Sequence, residues 1–475
     1  MQTIRILEQY PPLCRIFDQY ADSEMAAFLD SSLENELGRY SIVGLFPWMT
    51  LVNGDKFTVN GKECGQPFEK YVKEFLKAHR EERQPGPKLP ITSGAIGYFS
   101  YDYGRKKERV VSRHEKTVDI PDCILCFYDM FLVEDHKEKK LYVAANGRLS
   151  DSARTADEMA EKIREMYLRE QEERQAEVCP EKVRITANFE KEDYKRAVDD
   201  VIHYIVEGDI YIMNMTQQLT VRSPRKPYEV FQRLRRENPS PFGGYFQYGD
   251  FQVVCASPER FLRMEQGHIA TRPIKGTRKR GETPEEDAAL RRELQESEKD
   301  QSELLMIVDL ERNDLNRVCV PGSVKVTELF AVEEYATVFH LIANVEGDLE
   351  EGKTVMDLME AAFPGGSITG APKLRAMEII DELEHGRRNL YTGSIGYLTM
   401  DGDCDFNIVI RTALYKDGVY HLGVGGGITC ESELEFEYEE TLQKAKAVVE
   451  AMGAMGADGF GLEQIPEERK EGGEG

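Results

Sequence analysis

Residues 391–429 read YTGSIGYLTMDGDCDFNIVIRTALYKDGVYHLGVGGGIT. Three strand-like runs, 391–400, 405–415 and 419–429, are separated by Asp401-Gly402 and Asp417-Gly418. Asp-Gly favours the tight turns that reverse a chain between antiparallel strands. The stretch therefore predicts a meander, followed by a helix over about 434–452. Working outward, residues 1–150 read as short strands broken by turns, as in MTLVNGDKFTVNGKE (49–63) with Asn53-Gly54 as the turn, and form a β-rich first lobe. Residues 151–182 are a charged helical stretch whose polarity suits a connector. Residues 183–460 form the second lobe, with a helix over 191–207 and strands over 211–222 and 244–256. Thr283, Pro284 and Glu286 provide an N-cap, a first-turn proline and the third-position glutamate of a capping box. They open a long helix to about residue 309 that carries Glu303. Hairpin strands with helices grouped around them indicate an α+β fold rather than a doubly wound parallel sheet. The tail, 461–475, has the composition of a disordered segment.

The 475 residues are 41% hydrophobic and 31% charged, with a net charge of -25. That is the composition of a globular chain with room for a sizeable core. No run approaches the roughly 18 apolar residues of a membrane helix, and the N-terminus lacks a secretory pattern, so the expectation is a cytoplasmic protein off the membrane. The acidic balance argues against a nucleic-acid partner, which needs a broad basic face. Nine cysteines, an odd and scattered set, do not suggest a disulfide framework. Cys123 and Cys126, in DCILCFYDMF, face opposite sides of a strand and read as buried thiols rather than metal ligands.

Chemistry concentrates in a few segments. Lys275 lies in TRPIKGTRKRG (271–281), with Arg272, Arg278, Lys279 and Arg280 nearby. Cations crowding a lysine favour its neutral, nucleophilic form and attract a small dianion, although a solvated basic strand end has the same composition. FPGGSITGAPK (363–373) runs from a Gly-rich loop into a helix, an anion seat that lacks the Lys-Ser/Thr of a nucleotide P-loop. Arg411, on the face of its strand shared with Val409 and Ala413, needs an acidic partner. A ligand carboxylate or an internal acid would serve. Gly425, Gly426 and Gly427 leave amides open to a ligand, and Lys444 adds a donor. Glu437 and Glu440 share a helix face that Glu303 would meet if the two helices flank one cleft; such carboxylates suit Mg²⁺. Glu259 is a candidate general acid, and His340 is either a site imidazole or a satisfied core histidine.

Together these segments resemble the chorismate-utilising enzymes: the large subunits of anthranilate synthase and aminodeoxychorismate synthase, with isochorismate and salicylate synthases more distant. The resemblance runs through GRYSIVGLFPW, GAIGYFSYD, SPERF, PIKGTR, SELLMIVDLERNDLNRV, FPGGSITGAPK, YTGSIGYL, FNIVIRTA and GGGITCESELEFEYEET. It implies two antiparallel β-sheets in an orthogonal sandwich flanked by helices. It also implies Mg²⁺ between Glu303 and Glu440, with Glu437 close by. The carboxylates of chorismate would meet the metal, Tyr397, Arg411, the amides of 425–427 and Lys444, with Thr369 and His340 beside the ring.

Within that family, lysine at position 275 and asparagine at 214 are similar to the aminodeoxychorismate branch, in which the lysine is a covalent nucleophile. Anthranilate synthases usually carry alanine and valine there, and Ile212 replaces a glutamine common to both. The implied reaction converts chorismate and ammonia to 4-amino-4-deoxychorismate, for 4-aminobenzoate and folate synthesis, with Glu259 as acid. Ammonia would come from a separate glutamine amidotransferase subunit. The segments FLDSSLENELGRYS (28–41) and NPSPFGGYF (238–246) resemble tryptophan-cradling segments, marking Asp30, Ser31, Ser32, Asn238, Pro239, Ser240, Pro241 and Phe242 as a possible tryptophan site. Two alternatives stand beside this reading: an anthranilate synthase component I, and a non-catalytic ligand-sensing subunit.

Overall fold

Two long strands, Tyr40–Asn53 and Cys123–Asp135, run antiparallel along almost their whole length. Each serves two neighbours. The first half of Tyr40–Asn53 pairs with Ala27–Asp30 and its end with Phe57–Val59. The first half of Cys123–Asp135 pairs with Gly94–Phe99 and the second with Lys140–Ala145. A register shift between Pro47 and Met49, beside Phe46 at φ 59°, marks where the two ladders part; an extra residue of this kind bends and twists a strand. The computed structural model describes residues 2–35, 37–83, 88–169, 183–334 and 338–454. Among these, all strands join one hydrogen-bonded network rather than two separate sheets.

One ladder continues from Ala27–Asp30 through Phe242–Gln247, Phe251–Ser257, Thr412–Lys416 and Val419–Ile428 to Ile212–Arg222. The other continues from Gly94–Phe99 through Ser394–Thr399, Cys404–Asn407, Arg260–Glu265 and His268–Thr271 to Val338–Asp348. Strands of residues 1–150 thus pair directly with strands of the later chain.

The expected three-strand meander is corrected by this topology. Cys404–Asn407 and Thr412–Lys416 lie in different ladders, and the chain between them leaves the sheet, with Arg411 at φ 49°. Only the Asp417-Gly418 hairpin survives as a two-residue turn, with both residues at positive φ as a type I′ turn requires. Asn60-Gly61 is a second such turn, between Phe57–Val59 and Lys62–Glu63. The strand expected over 244–256 is a hairpin turning at Gly249.

Helix Lys191–Val206, one residue short of the expected 191–207, buries Tyr194, Ala197, Val198 and Val201. The charged stretch after residue 150 does more than connect. Helix Ser152–Arg169 buries Ala156, Met159, Ala160 and Ile163 in an apolar cluster shared with Leu7, Leu141 and Val143. Full burial of such a side chain contributes about 1.5–3 kcal/mol for the larger apolar types. The remainder of the connector, 170–182, and the tail expected to be disordered lie outside the described residues.

The helix expected over 283–309 is two helices, Pro284–Glu296 and Glu298–Asn316. Thr283 caps the first as expected, accepting the Glu286 amide. Glu286 reaches the Glu282 amide, one residue short of a capping box. Ser297, at ψ 104°, breaks the helix and caps the second by accepting the Asp300 amide at 3.3 Å.

Candidate active site

A cleft of about 540 Å³ opens where the ladder end Ile212–Arg222/Val419–Ile428 meets strand Ile274–Lys279 and helices Glu298–Asn316 and Leu434–Ala451. Lys275, Glu259, His340 and Arg411 line it, as do Gly425, Gly426, Gly427 and Lys444, with Glu303, Glu437 and Glu440. Eleven residues spread from 259 to 444 are thereby brought to one cavity.

The glycine run is a strand, not an open loop. Gly425, Gly426 and Gly427 pair with Thr216, Met215 and Asn214. On the other side the pairing with Thr412–Lys416 ends at Leu422. Among the described residues no strand pairs with that edge beyond this point, and an unpaired edge presents alternate amides to a ligand. Glycine also avoids crowding, most severely at Gly425, where a Cβ would lie 2.3 Å from Met215 O. A Cβ on Gly426 would lie 2.5 Å from Glu440 Oε2, and one on Gly427 3.3 Å from Lys275 Nζ. Lys444 Nζ donates to Gly425 O at 2.9 Å and to Glu440 Oε2 at 3.0 Å, tying helix to strand.

Glu259 is buried, and Ser367 Oγ donates to its Oε1 at 2.8 Å. Burial raises its pKa above the usual carboxylate value, against the opposing pull of Ser367, Lys275, Lys444 and Arg411. A carboxyl held toward its protonated form is what a proton donor needs. Burial, with the charge of Arg411, lowers His340 to about 4, so its ring is neutral at neutral pH, and Nδ1 lies 2.9 Å from Thr277 Oγ1. Arg411 reaches the solvent of the cleft from between its walls. Their desolvation lowers its pKa and the charge of Glu259 opposes.

The cationic crowd expected around Lys275 is not what the fold provides. Arg272 pairs with Glu328 and Glu333, Arg278 with Glu293 and Asp300, and Arg280 with Asp287. These ion pairs neutralise the three arginines and Lys279 is exposed, while Lys275 acts on Glu303 and Glu259. Two further residues are placed differently from expectation. Tyr397 pairs with Ile96 and Asp405 in the second ladder and lines another cavity. Thr369 is buried beneath the cleft, its hydroxyl directed to Gly365 O at 2.9 Å. The tyrosine that does line the cleft is Tyr391, six residues before Tyr397, with Phe436 a second aromatic on its wall. Its signal was the same YTGSIGYL motif, in which either tyrosine fits the pattern. Asn214, whose buried Oδ1 has no partner, Ser367, Lys299 and Asp300 also line the cleft.

The carboxylates have the chemistry of a divalent-cation site. Burial raises Glu303 and Glu437, and Glu440 raises both further by repulsion. Ser432 Oγ donates to Glu437 Oε1 at 2.7 Å. Among the described residues no three His, Cys, Asp or Glu side chains gather as a ready-made ligand set. Mg²⁺ does not require one: it commonly takes one or two carboxylates, keeps waters and accepts substrate oxygens. Mutually repelling oxygen donors around a cleft fit that pattern.

Of the candidate tryptophan residues, Asp30, Ser31, Pro241 and Phe242 line a second cavity of about 300 Å³, which Tyr397 shares. Ser32 and Ser240 instead brace each other, Ser32 Oγ accepting the Ser240 amide at 3.1 Å. Asn238 and Pro239 do not line it; Asn238 ends helix Pro227–Glu237. Arg235 holds Asp30 by two bonds of 2.9 and 3.2 Å. Cys123 and Cys126 are buried as expected, and burial raises both thiols. Among the described residues no helix is long and apolar enough to cross a membrane.

Residues 40–450 match the chorismate binding enzyme family. Aminodeoxychorismate synthase component 1 of Bacillus subtilis (strain 168) is 39% identical over 423 residues, covering 87% of this chain and 89% of that protein. Anthranilate synthase component 1 of Acetivibrio thermocellus is 36% identical over 461 residues, 93% of this chain and 92% of that one. The crystal structure of anthranilate synthase component I from Streptococcus pneumoniae TIGR4 superposes with a TM-score of 0.77 at 31% identity, covering 88% of this chain and 93% of that one. With the ladders, the cleft and these relatives in agreement, the chain belongs to the chorismate binding enzyme family.

Proposed function

We propose that this chain is the chorismate-binding subunit of an aminodeoxychorismate synthase, forming 4-amino-4-deoxychorismate from chorismate and ammonia. The observation that carries the reading is Lys275, whose Nζ stands over Gly427 in a cleft it shares with the buried acid Glu259. As the free amine, Lys275 bonds to C2 of the ring. The ring double bonds shift, the C4–O bond breaks, and the oxygen leaves as water with the proton of Glu259. Ammonia then bonds to C4, the double bonds return, the C2–N bond breaks, and the Glu259 carboxylate takes the proton that ammonia sheds. The enolpyruvyl group is retained. Splitting one displacement into two is what a covalent nucleophile contributes.

Arg411, Lys444, Tyr391 and the free strand edge at 423–428 are the groups we assign to the substrate carboxylates, and His340 to the ring side. Glu303, Glu437 and Glu440 would hold Mg²⁺, which when bound supplies charge neutralisation of the dianion. The relatives' designation as component 1 supports a second subunit, which we read as a glutamine amidotransferase delivering ammonia. We read the two ladders as layers of an orthogonal sandwich, the second cavity as a tryptophan seat, and the setting as the cytoplasm. Tryptophan titration against activity and thermal stability separates an inhibitory from a structural role.

A second reading, anthranilate synthase component I, is favoured by the relatives and the solved structure of that name. One assay decides. With chorismate, Mg²⁺ and ammonium followed by the downstream lyase, 4-aminobenzoate is expected; accumulation of fluorescent anthranilate and pyruvate overturns the proposal. The non-catalytic alternative predicts binding without either product.

A further inference from the structure

Beneath the cleft lies a buried ion pair that is not part of its lining. Arg388 and Glu384 are 5% and 3% exposed, and Arg388 Nη2 and Nε meet Glu384 Oε1 and Oε2 at 2.7 and 2.9 Å. The outer donors of the same guanidinium reach two other segments. Nη1 donates to Ile368 O at 2.7 Å and Nη2 to Asn214 O at 2.6 Å. The Tyr391 amide donates to Arg388 O at 3.0 Å, and Glu384 Oε1 accepts from Thr216 N and Oγ1 at 3.0 and 2.7 Å. The ring of Tyr101 lies 4.9 Å from the guanidinium carbon.

Asn214, Ile368 and Tyr391 each line the cleft, and each comes from a different element. Ile368 follows Ser367, which holds Glu259. We infer that the buried Arg388–Glu384 pair is a positioning unit for the reaction, clamping the cleft wall and the seat of the proton donor in one arrangement. A planar fork with five donors can bridge both oxygens of a carboxylate and two carbonyls at once, four bonds that the three donors of a lysine cannot make. Buried pairs are weak evidence for net stability, since desolvation offsets their attraction. What this pair does hold is geometry: displacements near 1 Å at a reacting centre cost about a hundredfold in rate. Of the groups assigned to the carboxylates, Arg411, Lys444 and the amides of 423–428 sit on segments that these side-chain bonds do not reach, and Tyr391 alone adjoins the pair, through its backbone amide. Substrate affinity should therefore survive better than turnover.

The inference rests on the proposed function for its chemistry, and the test separates the two. Arg388→Lys keeps the charge and loses the fork; Glu384→Gln keeps the acceptor for Thr216 and loses the charge that aligns it. Ammonia-dependent chorismate consumption is followed per folded molecule, whichever aminated product forms. Hydrogen exchange is followed in 213–216, 366–369 and 390–392. Arg388→Lys should lower kcat at least tenfold with KM for chorismate changed less than threefold. Exchange in those three segments should rise at least tenfold while the melting transition stays cooperative. Glu384→Gln should show the same pattern, three- to tenfold in kcat, and it decides if the lysine variant does not fold. Unchanged kcat, or unchanged exchange in the three segments, overturns the inference. Anthranilate as product overturns the functional proposal alone, and the exchange readout holds even if neither product appears.

Discussion

At Glu259 burial raises the carboxyl while Ser367, Lys275, Lys444 and Arg411 pull it back, so its protonated form persists above the usual carboxylate range without being locked in. If it is the acid of the reaction, turnover falls on the alkaline side as pH rises through that raised pKa. Glu259→Gln, which cannot donate this proton, should lower kcat on the order of 10²–10⁴-fold and flatten the alkaline limb. A variant with the parent's pH profile in steady-state kinetics would remove Glu259 from the mechanism. Glu311, buried on helix Glu298–Asn316 and raised well above normal by desolvation, gives a stability test. Its folded pKa exceeds the unfolded value, near 4.3 for a free glutamate. Its contribution is therefore fully present below that value and is lost as pH rises toward the folded pKa. Glu311→Gln has no proton to lose, so the fall in urea midpoint between pH 5 and pH 8 should be smaller than in the parent.

At the scale of elements, the break at Ser297 sets where Glu303, a carboxylate proposed to hold Mg²⁺, points. Had the chain run on as one helix from 284, Glu303 would have inherited the direction of a helix anchored on Thr283. Instead a new helix begins at Glu298, with Gly276 at φ 69° packed so tightly beneath it that a Cβ would lie 2.8 Å from Asp300. Replacing the cap, Ser297→Ala, should cost about 1 kcal/mol by urea denaturation. It should also weaken Mg²⁺ dependence of activity more than it weakens folding. A stability loss with an unchanged Mg²⁺ midpoint would show that the break does not serve the site.

For the whole molecule, the shared strands matter most. Ala27–Asp30 completes the ladder at Phe242–Gln247, and Gly94–Phe99 completes it at Ser394–Thr399. A fragment spanning 183–460 would expose both edges and the apolar faces they cover, so it should fail to fold alone. Dispersed amide resonances from that fragment would refute this. The full chain should melt in one transition.

Much of the site was legible because its residues sit in short motifs whose chemistry is local: Lys275 before a glycine, the paired Glu437 and Glu440 one helical turn apart, the glycine run at 425–427. Strand and helix periodicities also placed Lys191–Val206, Ile212–Arg222 and Leu434–Ala451 within a residue or two. The failures share a cause. Which of Tyr391 and Tyr397 enters the cleft, whether Arg272, Arg278 and Arg280 act on Lys275 or on acids nearer to them, and where Arg411 leaves its strand all depend on which groups meet in space, the acids of the arginines lying from 7 to 61 residues away along the chain. Sequence by itself determined which groups exist and the elements that carry them, because periodicity and turn chemistry act over a few residues. Only the tertiary structure decided which of those groups meet, because ion pairing and strand adjacency are settled by contacts between segments that no local pattern links, some of them more than a hundred residues apart.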